Sequence, residues 1–188
     1  LSLTPENTRA QTVSDRSIIA TRDVVLAYVR TGDVRQDEIS SAGLLGLSLA
    51  LNQRTSIEPV TPLGVSLAVD ELSFYPFLYW PITPAQKTPT ADELQKLNRY
   101  LKGGGLILFD TKDADISKFG QSTIEAQTLR EITAGINLPP LSLISRDHVL
   151  TRSFYLLQEF PGRYAGTEVW LEASSAQENT INKKAFRN

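Results

Sequence analysis

The eleven residues Gly103 to Asp113 (GGGLILFDTKD) constrain the fold more than any other stretch. Three glycines stop whatever precedes them, Leu106 to Phe109 are wholly apolar, and Asp110, Thr111, Lys112 and Asp113 end the run abruptly. A short apolar run without alternation fits a strand covered on both faces, the situation of a parallel sheet between helix layers. This reading makes it the central strand of an α/β sheet. Ligands of open α/β sheets sit beyond the carboxyl ends of the strands, so the polar residues after Phe109 form the first candidate site.

A second strand has the same character. Val24 to Val29 is apolar and ends in Arg30, Thr31, Gly32 and Asp33. Asp33 is placed to cap a helix whose first turn carries Asp37 and Glu38, where the helix dipole favours negative charge. Ile39, Leu44, Leu47 and Leu51, widened by Leu45 and Leu49, predict a broad apolar stripe on that helix. Gly43 and Gly46 inside it predict close packing on the sheet, because glycine in a helix interior costs about 1 kcal/mol against alanine.

Ser56 to Val60 reads as a short edge strand, with Pro59 near its end, and Thr61 to Ser73 as a surface excursion. Phe77 to Tyr79 is the third sheet strand, within the most aromatic part of the chain. Thr90 and Glu93 match the capping box and set a helix start, with Leu94, Leu97 and Leu101 as its buried stripe. Ser122 and Glu125 repeat the capping pattern ahead of Leu129, Ile132 and Ile136. Strands and helices thus alternate, as in a three-layer α/β fold with a mostly parallel sheet flanked by helices.

After Pro139 and Pro140 the pattern changes. Ser153 to Leu157 has a period between strand and helix, and Glu168 to Glu172 alternates as a half-exposed strand. The expected organisation is an extended arm over residues 1–22, one α/β domain over 23–173, and a polar tail or truncated loop over 174–188.

Composition enters through what it excludes. The 188 residues contain no cysteine, which rules out disulfides, thiolate metal sites and a cysteine nucleophile. The single histidine, His148, rules out a multi-histidine zinc site. No metal centre and no cofactor is expected. A net charge of -2 gives no electrostatic case for nucleic acid, and no apolar run is long enough to span a bilayer. The first residue is leucine and methionine is absent, as expected of a piece cut from a longer protein.

Four segments carry a resemblance: LAYVRTGD at 26–33, DELSFYPFLYWPI at 70–82, GGGLILFDTKD at 103–113 and DHVLTRSFYLLQEFPGRY at 147–164. In this order and spacing the chain resembles the bacterial family known as domain of unknown function 4159, from about Leu3 to Glu172. The resemblance implies a fold similar to class I glutamine amidotransferases, which is flavodoxin-like. It also implies a parent protein with membrane-spanning segments upstream, so that this soluble piece is membrane-tethered, and a domain that continues past Asn188. In the amidotransferases a cysteine nucleophile follows a central strand. Asp110 or Thr111 stands at that position here, so the chemistry of that fold is missing.

Each candidate residue has a functional and a structural reading. Asp110 and Asp113 either orient a ligand, a water or a hard cation, or cap the following turn or pair with Lys112 or a nearby arginine. Arg30, Thr31 and Asp33 either join Asp110 and Thr111 in a polar pocket, or Arg30 forms an ion pair with Asp110. Tyr75, Tyr79 and Trp80 either line a pocket or partner surface, or belong to the core. His148 is either a general base or the anchor of a loop. Arg163, in the turn after Pro161, is a further candidate.

These residues lead first to a non-catalytic domain that binds a small polar ligand or a protein, with membrane contact only through segments outside this chain. The alternatives are a hydrolase built on Asp110, Asp113 and His148, and a structural module of a larger envelope protein.

Overall fold

The computed structural model describes residues 18–113, 123–144, 148–152 and 169–172. The chain divides into two compact units, Leu1–Ile136 and Asn137–Asn188. In the first, β1 (Leu26–Val29), β2 (Leu63–Val65), β3 (Phe77–Pro81) and β4 (Leu106–Asp110) form a parallel sheet in the order β2-β1-β3-β4. The helices are α1 (Val34–Arg54), α2 (Ala91–Lys102) and α3 (Ile124–Thr133), and a 3-10 turn spans Leu72–Phe74.

Strand order decides which helix covers which face. The step from β1 to β2 runs in one direction along the sheet and the step from β3 to β4 in the other. Right-handed crossovers therefore place α1 and α2 on opposite faces. The burial pattern agrees. The core joins Ala27, Val29, Val65, Leu78 and Trp80 of the strands to Leu97 and Tyr100 of α2 and Ile132 of α3. Leu26, Tyr28, Phe77, Tyr79, Leu106 and Leu108 alternate with these and share the other face, where α1 lies against β1, β2 and β3. The result is a three-layer, flavodoxin-like α/β unit.

The caps follow local chemistry. Asp33 accepts from the Arg35 and Gln36 amides and starts α1. Thr90 and Glu93 form the complete capping box of α2. The third helix starts one residue later than the Ser122 pattern suggests, because the Thr123 hydroxyl accepts from the Ala126 amide.

Three expectations are corrected. The run Leu106 to Asp110 is the edge of the described four-stranded sheet, not its centre, with Leu106 53% and Leu108 52% exposed. Its unbroken apolarity reflects an inner face, Ile107 and Phe109, half-buried against the core and an outer face left bare among the described residues. The short edge strand is Leu63–Val65, inside the stretch read as an excursion, because Val60 donates to the Val24 carbonyl before the ladder begins. Helix α1 buries Gln36, Ser40, Leu44 and Ser48, leaving Ile39, Leu45, Leu47 and Leu49 exposed. Gly43 and Gly46 lie in open space, and a Cβ on either would meet nothing within 4 Å. The leucines surround this helix instead of forming one stripe.

Residues 18–22, placed in the arm by sequence, are helical, and Ala20 joins the core. In the second unit β5 (Leu141–Leu143) pairs antiparallel with β6 (Trp170–Glu172), and a short helix, α4, spans Val149–Arg152. The Trp170 strand has the alternation expected of it, with Trp170 exposed and Leu171 half-buried. Ser153 to Leu157 and Arg163 lie outside the described residues.

Candidate functional site

The carboxyl ends of β1, β3 and β4 bring Arg30, Thr31, Asp33, Tyr79, Asp110, Thr111 and Asp113 to one edge of the sheet, while Tyr75, ahead of β3, lies at the opposite edge. Asp110 ends β4 on the face it shares with Tyr79, and the Tyr79 hydroxyl donates to Asp110 Oδ2 at 2.6 Å. Asp110 Oδ1 accepts from the Lys112 amide at 3.0 Å. That bond closes a tight turn in which Lys112 has φ 58°, a left-handed conformation rare for a side chain of this size. The Lys112 ammonium reaches Gln36 Oε1 on α1.

Asp113 is held from two sides. Thr111 donates to its Oδ1 at 2.5 Å, and the Thr123 hydroxyl donates to Oδ2. Partial burial works to raise the Asp113 pKa, but the Thr111 and Thr123 hydrogen bonds outweigh it and hold the carboxyl below its usual value. Thr123 also caps α3, so Asp113 ties the strand end to the following helix.

At the end of β1, Asp37 Oδ1 accepts from both the Thr31 amide at 2.9 Å and the Thr31 hydroxyl at 2.8 Å. Asp33 spends one oxygen on the helix cap. Arg30 is exposed and donates through Nε to the Gly64 carbonyl at 3.0 Å, across the β1–β2 pair. Arg30 thus points its guanidinium to β2, the opposite neighbour of β1 from the one that leads to Asp110.

Trp80 stands apart from this group. It is 2% exposed on the inner face of β3, packed at 5.4 Å against the Phe109 ring, with no hydrogen-bond partner for its indole N–H among the described residues. His148 lies in the second unit, where its Nδ1 accepts from the Leu150 amide at 3.2 Å and its carbonyl accepts from the Thr151 hydroxyl at 2.6 Å. These bonds start the short helix after it. Among the described residues no cluster of three or more histidine, cysteine or acidic residues could hold a metal ion. No helix among them is long and apolar enough to cross a membrane.

Sequence reasoning missed two features. The first is the cavity of about 460 Å³ at the opposite, amino edge of the sheet, between the starts of β3 and β4. It is lined by Glu71, Ser73, Tyr75, Lys96 and Arg99 together with the glycine triplet. Its signal was present in the sequence as Lys96 and Arg99 one helical turn apart, followed by three glycines. The second is the open apolar surface of α1 and β4.

A parallel α/β domain with an internally bonded polar strand-end edge is the class that this fold and edge define. Its family is given by comparison: residues 25–187 match the model of a family described as Domain of unknown function (DUF4159), and the chain belongs to that family. No curated protein matches the chain.

Proposed function

We propose that this domain is a non-catalytic binding module for a protein partner, carried in a bacterial membrane protein as the family resemblance implies. The observation that carries the reading is the outer face of β4, which no described element covers. Parallel sheets are covered on both faces because their strands are apolar on both. Among the described residues α2 and α3 cover the inner face and α1 alone lies on the outer one, over β1 to β3, while Leu106 and Leu108 stay half exposed. On α1, Ile39, Leu45, Leu47 and Leu49 add further exposed apolar surface. Exposed apolar area of this kind marks interaction sites.

The occupant that fits is an amphipathic helix from the partner, laid beside α1 with its apolar stripe on Leu106 and Leu108. The strand-end carboxylates support the non-catalytic half of the reading. Asp110, Asp113 and Asp37 already accept hydrogen bonds from their own neighbours, and spend on structure what a general base would offer to a substrate.

The test is a benzophenone photo-crosslinker placed at position 106 or 108 of the full-length protein in its native cells, with position 131 on α3 as control. The expected result is a crosslink to a second polypeptide at 106 and 108 and none at 131. Leu108→Lys should then abolish that crosslink from position 106 while leaving the melting temperature of the chain unchanged. Crosslinks confined to the same chain, or a melting temperature that falls sharply in Leu108→Lys, would reassign this face to the protein's own core.

A further inference from the structure

The amino-edge cavity is independent of that surface and holds charges of both signs. Arg99, on the exposed side of α2, makes no guanidinium hydrogen bond among the described residues. Glu71 uses Oε1 alone for its bonds from the Ser73 amide at 3.2 Å and the Ser73 hydroxyl at 2.9 Å. Its Oε2 accepts no hydrogen bond among the described residues.

The two groups feel each other. The Ser73 amide bond, opposed by desolvation and aided by the Ser73 hydroxyl and the nearby Lys96 and Arg99 charges, holds the Glu71 carboxyl below its ordinary range. Lys96 has a different task, since its ammonium donates to the carbonyls of Leu67 at 2.7 Å and Asp70 at 3.0 Å and pins the strap beneath the cavity. The glycine triplet forms a wall without side chains. Gly104 adopts φ +91°, where other residues are strained, and a Cβ on Gly105 would lie 2.2 Å from the Tyr100 ring.

We propose that this cavity binds a small carboxylate that also carries an ammonium or hydroxyl group, with the carboxylate on Arg99 and the donor on Glu71 Oε2. Three features carry the assignment. The volume lies within the range of small-molecule sites and exceeds what a lone ion needs. A guanidinium matches a carboxylate in a two-pronged geometry. Glu71, on the cavity wall with one carboxylate oxygen left open among the described residues, favours a donor or cation beside that carboxylate and disfavours a second anionic group.

The experiment is a titration of the full chain with L-alanine, lactate and acetate at constant ionic strength, followed by the amide resonances of Ser73 and Gly103 to Gly105. Saturable shifts are expected with L-alanine and lactate, with acetate at least about tenfold weaker, the equivalent of one lost hydrogen bond to a charged group. Arg99→Gln should remove binding of all three. Glu71→Gln should bring L-alanine down toward acetate. The assignment is overturned if no probe shifts these amides saturably, if Arg99→Gln binds as the parent chain does, or if acetate matches the other two. Because Arg99 is exposed and makes no guanidinium hydrogen bond among the described residues, its replacement leaves the fold intact. An unchanged melting temperature checks this.

Discussion

Tyr79 and Asp110 are joined by a 2.6 Å hydrogen bond across two parallel strands, from a phenol on β3 to the carboxylate that ends β4. The same carboxylate closes the Lys112 turn, so one side chain fixes both the strand pair and the left-handed residue after it. Such bonds to a charged acceptor contribute about 1.5–3 kcal/mol each, and partial solvent access places this pair toward the lower end. Asp110→Ala is therefore expected to lower unfolding stability by roughly 2 kcal/mol, and Tyr79→Phe by about 1 kcal/mol, in urea titrations. A double-mutant cycle should show the two losses to be coupled. An Asp110→Ala chain as stable as its parent would leave the carboxylate free for a ligand and revive a strand-end site.

How much of this could be read beforehand depends on whether a feature is local. The Asp33 cap, the Thr90–Glu93 capping box and the alternation of strands and helices are written in neighbouring residues, and all three are present. The position of β4 is not local. Leu106 to Phe109 would look the same at the centre or at the edge of a sheet, since strand order depends on residues far apart in sequence. The buried side of α1 fails for a related reason. With Leu44, Leu45, Leu47 and Leu49 placed around the helix, composition offers no preferred face, and the sheet selects the one bearing Gln36, Ser40 and Ser48. At the site, aspartates at a strand end could be foreseen, but not that the Tyr79, Thr111 and Thr123 hydroxyls would occupy them.

The glycines of α1 give a prediction opposite in sign to close packing. Gly43 and Gly46 are helical, and neither has an atom within 4 Å of where a Cβ would stand. Alanine there clashes with nothing and reduces the freedom of the unfolded chain. Gly43→Ala and Gly46→Ala should each stabilise the protein by about 0.5–1 kcal/mol, read as a higher urea midpoint at constant m-value. Destabilisation by either would mean that the outer side of α1 is covered.

Tyr100 makes the alkaline limit of stability specific. Its ring lies against Gly105, its hydroxyl donates to the Leu106 carbonyl at 3.1 Å, and burial pushes its pKa from 10.0 up to about 12. The folded state thus prefers the neutral phenol. The stabilisation is complete below pH 10.0, where Tyr100 is protonated in both states, and is lost as pH rises toward about 12. The melting temperature should fall across this window, and fall less in Tyr100→Phe, which keeps the ring and cannot ionise. Equal slopes in the two proteins would show that Tyr100 does not govern alkaline unfolding.

Asp113 should act at the acid end with the opposite sign. The Thr111 and Thr123 hydroxyls hold its folded pKa below the ordinary 3.8, so the ionised form belongs to the folded state. Its contribution is present in full above pH 3.8, where both states are ionised, and is lost as pH falls through the lower folded value. Asp113→Asn removes the charge and keeps only one good acceptor for two donors. It should cost about 1 kcal/mol at neutral pH, the usual net worth of one hydrogen bond, and the difference from the parent chain should shrink below pH 3.8. Thr123→Ala separates the two roles of its hydroxyl. It removes both the Asp113 bond and the α3 cap, so its cost should exceed that of Asp113→Asn and persist in acid, where a lost cap is still lost. Chemical unfolding of the three proteins between pH 2 and 7 checks this, and a Thr123→Ala deficit that vanished in acid would show that the hydroxyl serves Asp113 alone.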